Sequence, residues 1–132
     1  MRKCWITGIA SAALLLGIMA TSGNAEDAVR REILGKTFLP GGQYVALMAM
    51  AYANANGVLP RHIHPGIESS YVLEGEADLL VEGQPVRHLK AGDSYQIPAG
   101  VPHSLRNGPA PTRIIVTFLL DNDKQISSPA PE

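Results

Sequence analysis

Cysteine is nearly absent from this chain: the one copy, Cys4, falls within the first few residues. Intrachain disulfides are therefore excluded, and a folded domain must rely on packing, with a bound metal or a second subunit as reinforcement. Basic residues are not in excess either. Eleven Lys and Arg against 12 Asp and Glu leave a formal charge of −1, which gives no electropositive footprint for nucleic acid. No internal repeat and no second domain are visible. What the chain does have is punctuation, since 13 glycines and 10 prolines divide it into short segments.

The only long uncharged apolar run is Trp5 to Ala20, preceded by Arg2 and Lys3 and followed by the small residues Gly23-Asn24-Ala25. This is the pattern of a cleavable secretory signal over residues 1–25, cut after Ala25. A retained membrane anchor is the competing reading, but the run is on the short side of the roughly 17 to 25 residues that a spanning helix needs. Cys4 lies ahead of the run, away from the cleavage point, so a lipoprotein anchor is not indicated. Cleavage leaves 107 residues with a formal charge of −3, one domain by length, secreted or periplasmic and without a membrane association of its own.

Within that domain the sequence divides into an N-terminal strand or arm (26–42), a barrel (43–121) and a polar, proline-containing tail expected to fray (122–132). Val29 to Leu39 reads as an edge strand able to pair with a partner subunit. Tyr44 to Tyr52 places Tyr44, Ala46, Met48, Met50 and Tyr52 on one face, with Val45, Leu47, Ala49 and Ala51 on the other. Both faces are apolar, which predicts a strand buried on both sides or forming a cavity wall. A helix competes there, because Ala, Leu and Met favour one. Asn54-Ala55-Asn56-Gly57 is a turn, Gly83-Gln84-Pro85 a hairpin-like break, and Arg113 to Leu120 a buried final strand. Short strands at nearly regular spacing indicate an all-β sandwich or barrel.

The chemistry concentrates between Gly57 and Asn107, which holds three histidines in spacings that suit a metal. Residues two apart on a strand share a face, so His62 and His64 can aim at one point while Arg61 and Ile63 face away. Pro65-Gly66 reads as a tight turn, with glycine supplying a positive φ, after which Glu68 returns on a neighbouring strand. Pro98-Ala99-Gly100 is a second corner that delivers His103. Taken alone, two histidines two apart are as easily polar surface or satisfied core residues.

These segments resemble the two motifs of the cupin superfamily. The first, G-x5-H-x-H-x3,4-E-x6-G, is matched by His62, His64, Glu68 and Gly75, with four residues in place of five between Gly57 and His62. The second, G-x5-P-x-G-x2-H-x3-N, is matched by Gly92, Pro98, Gly100, His103 and Asn107. The resemblance implies a double-stranded β-helix, the jelly-roll barrel, with one divalent transition metal (Fe, Mn, Ni, Cu or Zn) held by His62, His64, Glu68 and His103. It also implies a homodimer paired through an N-terminal strand, and dioxygenase, isomerase, decarboxylase or oxalate-type chemistry on a small organic molecule. A non-catalytic module that holds a metal or metabolite, as a sensor or carrier, is the alternative.

Strand parity adds an expected pocket lining of Ser70, Val72 and Leu105, with Tyr44, Met48, Met50 and Tyr52 from the apolar strand, while Ser104 and Arg106 point away. Such a pocket has few charged anchors, which favours aromatic or medium-sized molecules over small, highly charged ones. His88 reads as a solvated strand residue, Asn107 and Glu74 as structural, and Tyr71 and Tyr95 as packing. No residue stands out as a general base.

Overall fold

The structure is a computed structural model that describes residues 28–132; the leader and its cleavage site lie outside the described residues. Every element it contains is a strand: β1 (Val29–Phe38), β2 (Tyr44–Ala53), β3 (Val58–Ile63), β4 (Ile67–Glu74), β5 (Glu76–Val81), β6 (Arg87–Lys90), β7 (Ser94–Ile97), β8 (His103–Asn107), β9 (Thr112–Asp121) and β10 (Ser128–Pro129). They form two five-stranded sheets, ordered β1-β2-β9-β4-β7 and β10-β3-β8-β5-β6, with every neighbouring pair antiparallel. From β3 to β5 and from β6 to β9 the chain steps from one sheet to the other, which is the jelly-roll path of a double-stranded β-helix.

Period-2 alternation sets the core. On β9, Thr112, Ile114, Val116, Phe118 and Leu120 are buried, and on β2 the residues registered opposite them, Ala53, Ala51, Ala49, Leu47 and Val45, are buried too. They face Ala77, Leu79 and Val81 of β5 and Leu105 of β8 across the sandwich, so one apolar layer fills the space between the sheets.

The helix alternative for residues 44–52 loses to a ten-residue strand, but the expectation of burial on both faces does not hold. Tyr44 and Met48 are exposed and Met50 and Tyr52 only half-buried, because a single chain has one opposing sheet and it covers the Val45-to-Ala53 face. The strand read at 29–39 is β1, an edge strand as expected, although it is hydrogen-bonded along its length to β2 and so belongs to the barrel wall.

The tail also differs from expectation. Ser128 and Pro129 pair with Ile63 and His62 of β3, the Ala130 amide donates to Arg61 O, and the Arg61 guanidinium donates to the Pro131 carbonyl. Composition pointed to fraying, whereas free backbone donors and acceptors on the edge of β3 give these residues something to pair with.

Both proline-glycine corners form. Gly100 adopts φ +72° as a corner requires, and its amide donates to His64 O at 2.9 Å, which ties the second corner to the first histidine pair. Gly66 is different, since it is not among the glycines with positive φ; a Cβ there would lie 1.9 Å from Leu119 O. Close approach of two backbones, and not backbone freedom, requires glycine at this corner. Gly66→Ala is therefore expected to destabilise the fold by about 2 kcal/mol or more, as overpacking against backbone does. Gly35→Ala, with nothing within 4 Å of the added carbon, is expected to be near neutral, and denaturant melts of the two variants check the difference.

Candidate metal centre

The four polar residues singled out in the sequence converge from both sheets. His62 on β3 and His103 on β8 are registered directly opposite each other, His64 follows the end of β3, and Glu68 lies on β4 after the corner. A register shift between Leu59 and His62 marks a bulge in β3, so the histidine pair sits just beyond an irregular stretch of strand. All four are buried, and their ligand atoms lie within 4.8 Å of one another. Ring centroids of the three imidazoles are 4.2 to 5.1 Å apart.

Each ring is fixed by a backbone carbonyl: Nδ1 of His62 donates to Pro60 O (2.8 Å), that of His64 to Ile126 O (2.6 Å) and that of His103 to Val101 O (2.9 Å). A carbonyl only accepts, so the proton of each neutral ring is on Nδ1 and each Nε2 presents a lone pair. All three Nε2 atoms are buried without a hydrogen-bond partner. Glu68 Oε2 lies 2.9 Å from His64 Nε2 and 3.3 Å from His103 Nε2. By distance these are ion pairs, but with the Nδ1 protons already committed to carbonyls they are lone pairs facing lone pairs. That arrangement is repulsive unless a cation lies among them.

Electrostatics agree with this donor set. Burial lowers the His62 pKa to about 4, so the ring is neutral and able to ligate at ordinary pH. Burial alone would push the Glu68 carboxyl up, and the hydrogen bond from Ser70 acts against it, favouring the carboxylate. Ser70 Oγ donates to Glu68 Oε1 at 2.7 Å, fixing the oxygen that does not face the imidazoles. Ligand bonds of roughly 2.0–2.2 Å put neighbouring donors about 3 Å apart on one ion, which is the Glu68–His64 separation. The residues therefore fit a single divalent ion with mixed nitrogen and oxygen ligands, and their carbonyl and serine partners are the outer contacts that such ligands need.

A narrow cavity of about 30 Å³ adjoins Glu68, His62 and His103, with Tyr95, Arg31 and apolar walls that include Leu105, Ala51 and Phe118. It has room for one or two waters. Next to it lies a groove of about 380 Å³ lined by Val29, Arg31, Leu59, Pro60, Arg61, His62 and Ser127–Pro129. Of the expected lining, Leu105 is in place. Ser70 stands behind Glu68, and Val72 is fully buried in the core. Tyr44, Met48, Met50 and Tyr52 lie on the outer face of β2, away from the cavity, because the inward parity of that strand belongs to Ala49, Ala51 and Ala53.

Tyr95 carries more than packing. It is buried beside Glu68 and Ser70 within hydrogen-bonding reach, and burial together with the Glu68 charge raises its pKa, so the phenol keeps its proton. Its place follows from pairing opposite Ser70, a register that β7 shows only once the sheet is assembled. Asn107 is structural, its amide donating to Ala53 O, Asn54 O and Ala110 O. His88 is exposed and contacts Asp78, and Glu74 is exposed and paired with Arg113.

The carbonyl that orients His64 comes from the tail. Deleting residues 126–132 is expected to leave the barrel folded but weaken metal retention by about 10- to 100-fold, as loss of an outer contact does. The His62→Ala, His103→Ala double variant is expected to retain none, and elemental analysis after dialysis against a graded chelator series checks both.

Comparison with known proteins agrees with this geometry. The cupin domain family model matches residues 50–118, over half of the chain. Dimethylsulfoniopropionate lyase DddQ of Ruegeria pomeroyi is 39% identical over 69 residues, which cover 52% of this chain and 34% of that protein. The transcriptional regulator PuuR of Escherichia coli is 52% identical over 44 residues, 33% of this chain and 23% of the regulator. The chain thus spans about a third or less of the curated relatives it matches. Among solved structures, DddQ of Ruegeria pomeroyi superposes with TM-score 0.65 at 28% identity, covering 78% of this chain and 52% of that one. An uncharacterised double-stranded β-helix protein of Klebsiella pneumoniae superposes with TM-score 0.60 at 23% identity, covering 86% and 99%. With both histidine motifs in place, a jelly-roll of two five-stranded sheets and a family match across that barrel, the chain belongs to the cupin family.

Proposed function

We propose that this protein is a metal-dependent enzyme acting on a small organic molecule, with His62, His64, Glu68 and His103 holding one divalent transition ion. The observation that carries the reading is the clustering of three buried, unpartnered imidazole Nε2 atoms with the Glu68 carboxylate, two of them within 3.3 Å of one of its oxygens. A divalent ion with four protein ligands keeps positions for substrate and supplies Lewis acidity to an oxygen placed there. The chain's own residues do the rest. Backbone carbonyls hold the ring tautomers, Ser70 and Tyr95 hold Glu68, and apolar walls leave space for little water beside the ligands.

Of the chemistries open to such a site, elimination or isomerisation on a small acid is the reading we favour over oxygen insertion. The named activity of DddQ, a lyase, supports it. A binding module is the second reading, favoured by the 52% identity to a stretch of the PuuR regulator.

The test is turnover by chain reconstituted separately with Fe²⁺, Mn²⁺, Ni²⁺ and Zn²⁺. Dimethylsulfoniopropionate and a panel of small hydroxy and keto acids are followed by proton NMR, with oxygen uptake recorded in parallel. Substrate loss without oxygen uptake, abolished in His103→Ala, is expected. Binding without consumption across the panel would favour the module instead.

Export and pairing belong to the same proposal. The outer face of the first sheet carries exposed Tyr44, Met48, Ile67, Tyr71 and Leu119. Several exposed apolar side chains on one sheet face are typical of an association face. A second copy paired there is the occupant we propose, on a chain matured by cleavage after Ala25. Native mass spectrometry of protein from the exporting cell is expected to give twice the mass of a chain beginning at Glu26, and Met48→Glu is expected to halve it.

A further inference from the structure

Two consecutive arginines on β1 have opposite surroundings. Arg30 points outward, where its guanidinium lies 4.1 Å from the Tyr52 ring centroid and 3.9 Å from Glu32. Arg31, registered opposite Ala51 on the inward parity of β1, is half-buried and lines both the narrow cavity and the groove. The small Ala51 and Ala53 side chains on neighbouring β2 leave the space it occupies. Among the described residues no carboxylate lies within ion-pair distance of Arg31, whereas Arg61 at the groove is satisfied by Glu82 at 2.6 Å. Among the described residues, Glu68 is the only acidic one lining either space. A divalent ion on the three neutral imidazoles and Glu68 has a net charge of +1, and Arg31 adds a second positive charge. A half-buried guanidinium without a carboxylate partner, set beside such a positive centre, is stabilised when an anion joins it.

We infer that Arg31 is the anchor for a substrate carboxylate, which it holds where the groove meets the metal cavity, so that the substrates of this enzyme are small organic anions. The inference rests on the metal-centre reading and adds the substrate class to it. Two parallel N–H donors of a guanidinium match the two oxygens of a carboxylate. The carbon beyond the carboxylate then points into the narrow cavity toward the ligand cluster. The groove of about 380 Å³ accommodates a bulkier remainder. The sequence showed no such anchor, because Arg31 belongs to a strand that composition assigns to the periphery.

The test uses the Zn²⁺-loaded full chain, with metal content measured by elemental analysis and propionate binding followed by NMR titration; the neutral isostere propionamide is the control. Arg31→Met is expected to weaken propionate binding roughly 10- to 100-fold, the range for hydrogen bonds to a charged group. Arg31→Lys is expected to be intermediate. Neither variant is expected to change metal content or propionamide binding. Equal propionate affinity in wild type and Arg31→Met, or no propionate binding by a fully metal-loaded wild type, would overturn the inference while leaving the metal centre intact. A wild-type chain that holds no zinc removes both readings at once.

Discussion

Three hydrogen bonds to backbone carbonyls set the character of the whole site. By taking the Nδ1 protons of His62, His64 and His103, they turn three buried rings into lone-pair donors that face one another and Glu68. Without a cation that arrangement opposes folding, since like dipoles and a carboxylate are brought out of water together. The barrel must therefore offset it through packing elsewhere, and the fully buried Phe118, Leu79, Ile97 and Val72 are where it does so. The metal cluster is a local cost held in place by an apolar sandwich.

The geometry also explains why the ligands come from such separated points. His62 and His103 are cross-strand partners in one sheet, Glu68 belongs to the other, and His64 lies in the chain's passage between them. A site that spans both sheets is sensitive to how they stack. The crowded corner at Gly66, pressed against the Leu119 carbonyl of β9, fixes that stacking at the point where Glu68 enters its strand. Corner and ligand are two residues apart, so backbone packing and metal geometry are set together.

Much of this was legible in the chain. H-x-H parity, the corner glycines and the two motif spacings located all four candidate ligands, and alternation located most of the core. Illegible were features that depend on which strands become neighbours. Tyr95 owes its position beside Glu68 to pairing with Ser70, and Arg31 owes its inward direction to registration with Ala51. The face of β2 chosen for burial was equally hidden, because both faces are apolar and only the opposing sheet decides between them. Local composition misled most at residues 122–132, whose polar, proline-containing sequence gives no sign of an unpaired edge on β3 waiting for it.

That edge has a mechanical consequence. Ile126, whose carbonyl sets the His64 ring, stands two residues ahead of β10, which two registered pairs hold on β3. Peeling this ribbon away removes the acceptor that keeps the ring proton on Nδ1, and reseating it restores that acceptor. The grip on an ion is thereby coupled to the docking of a segment far from the ligands in sequence.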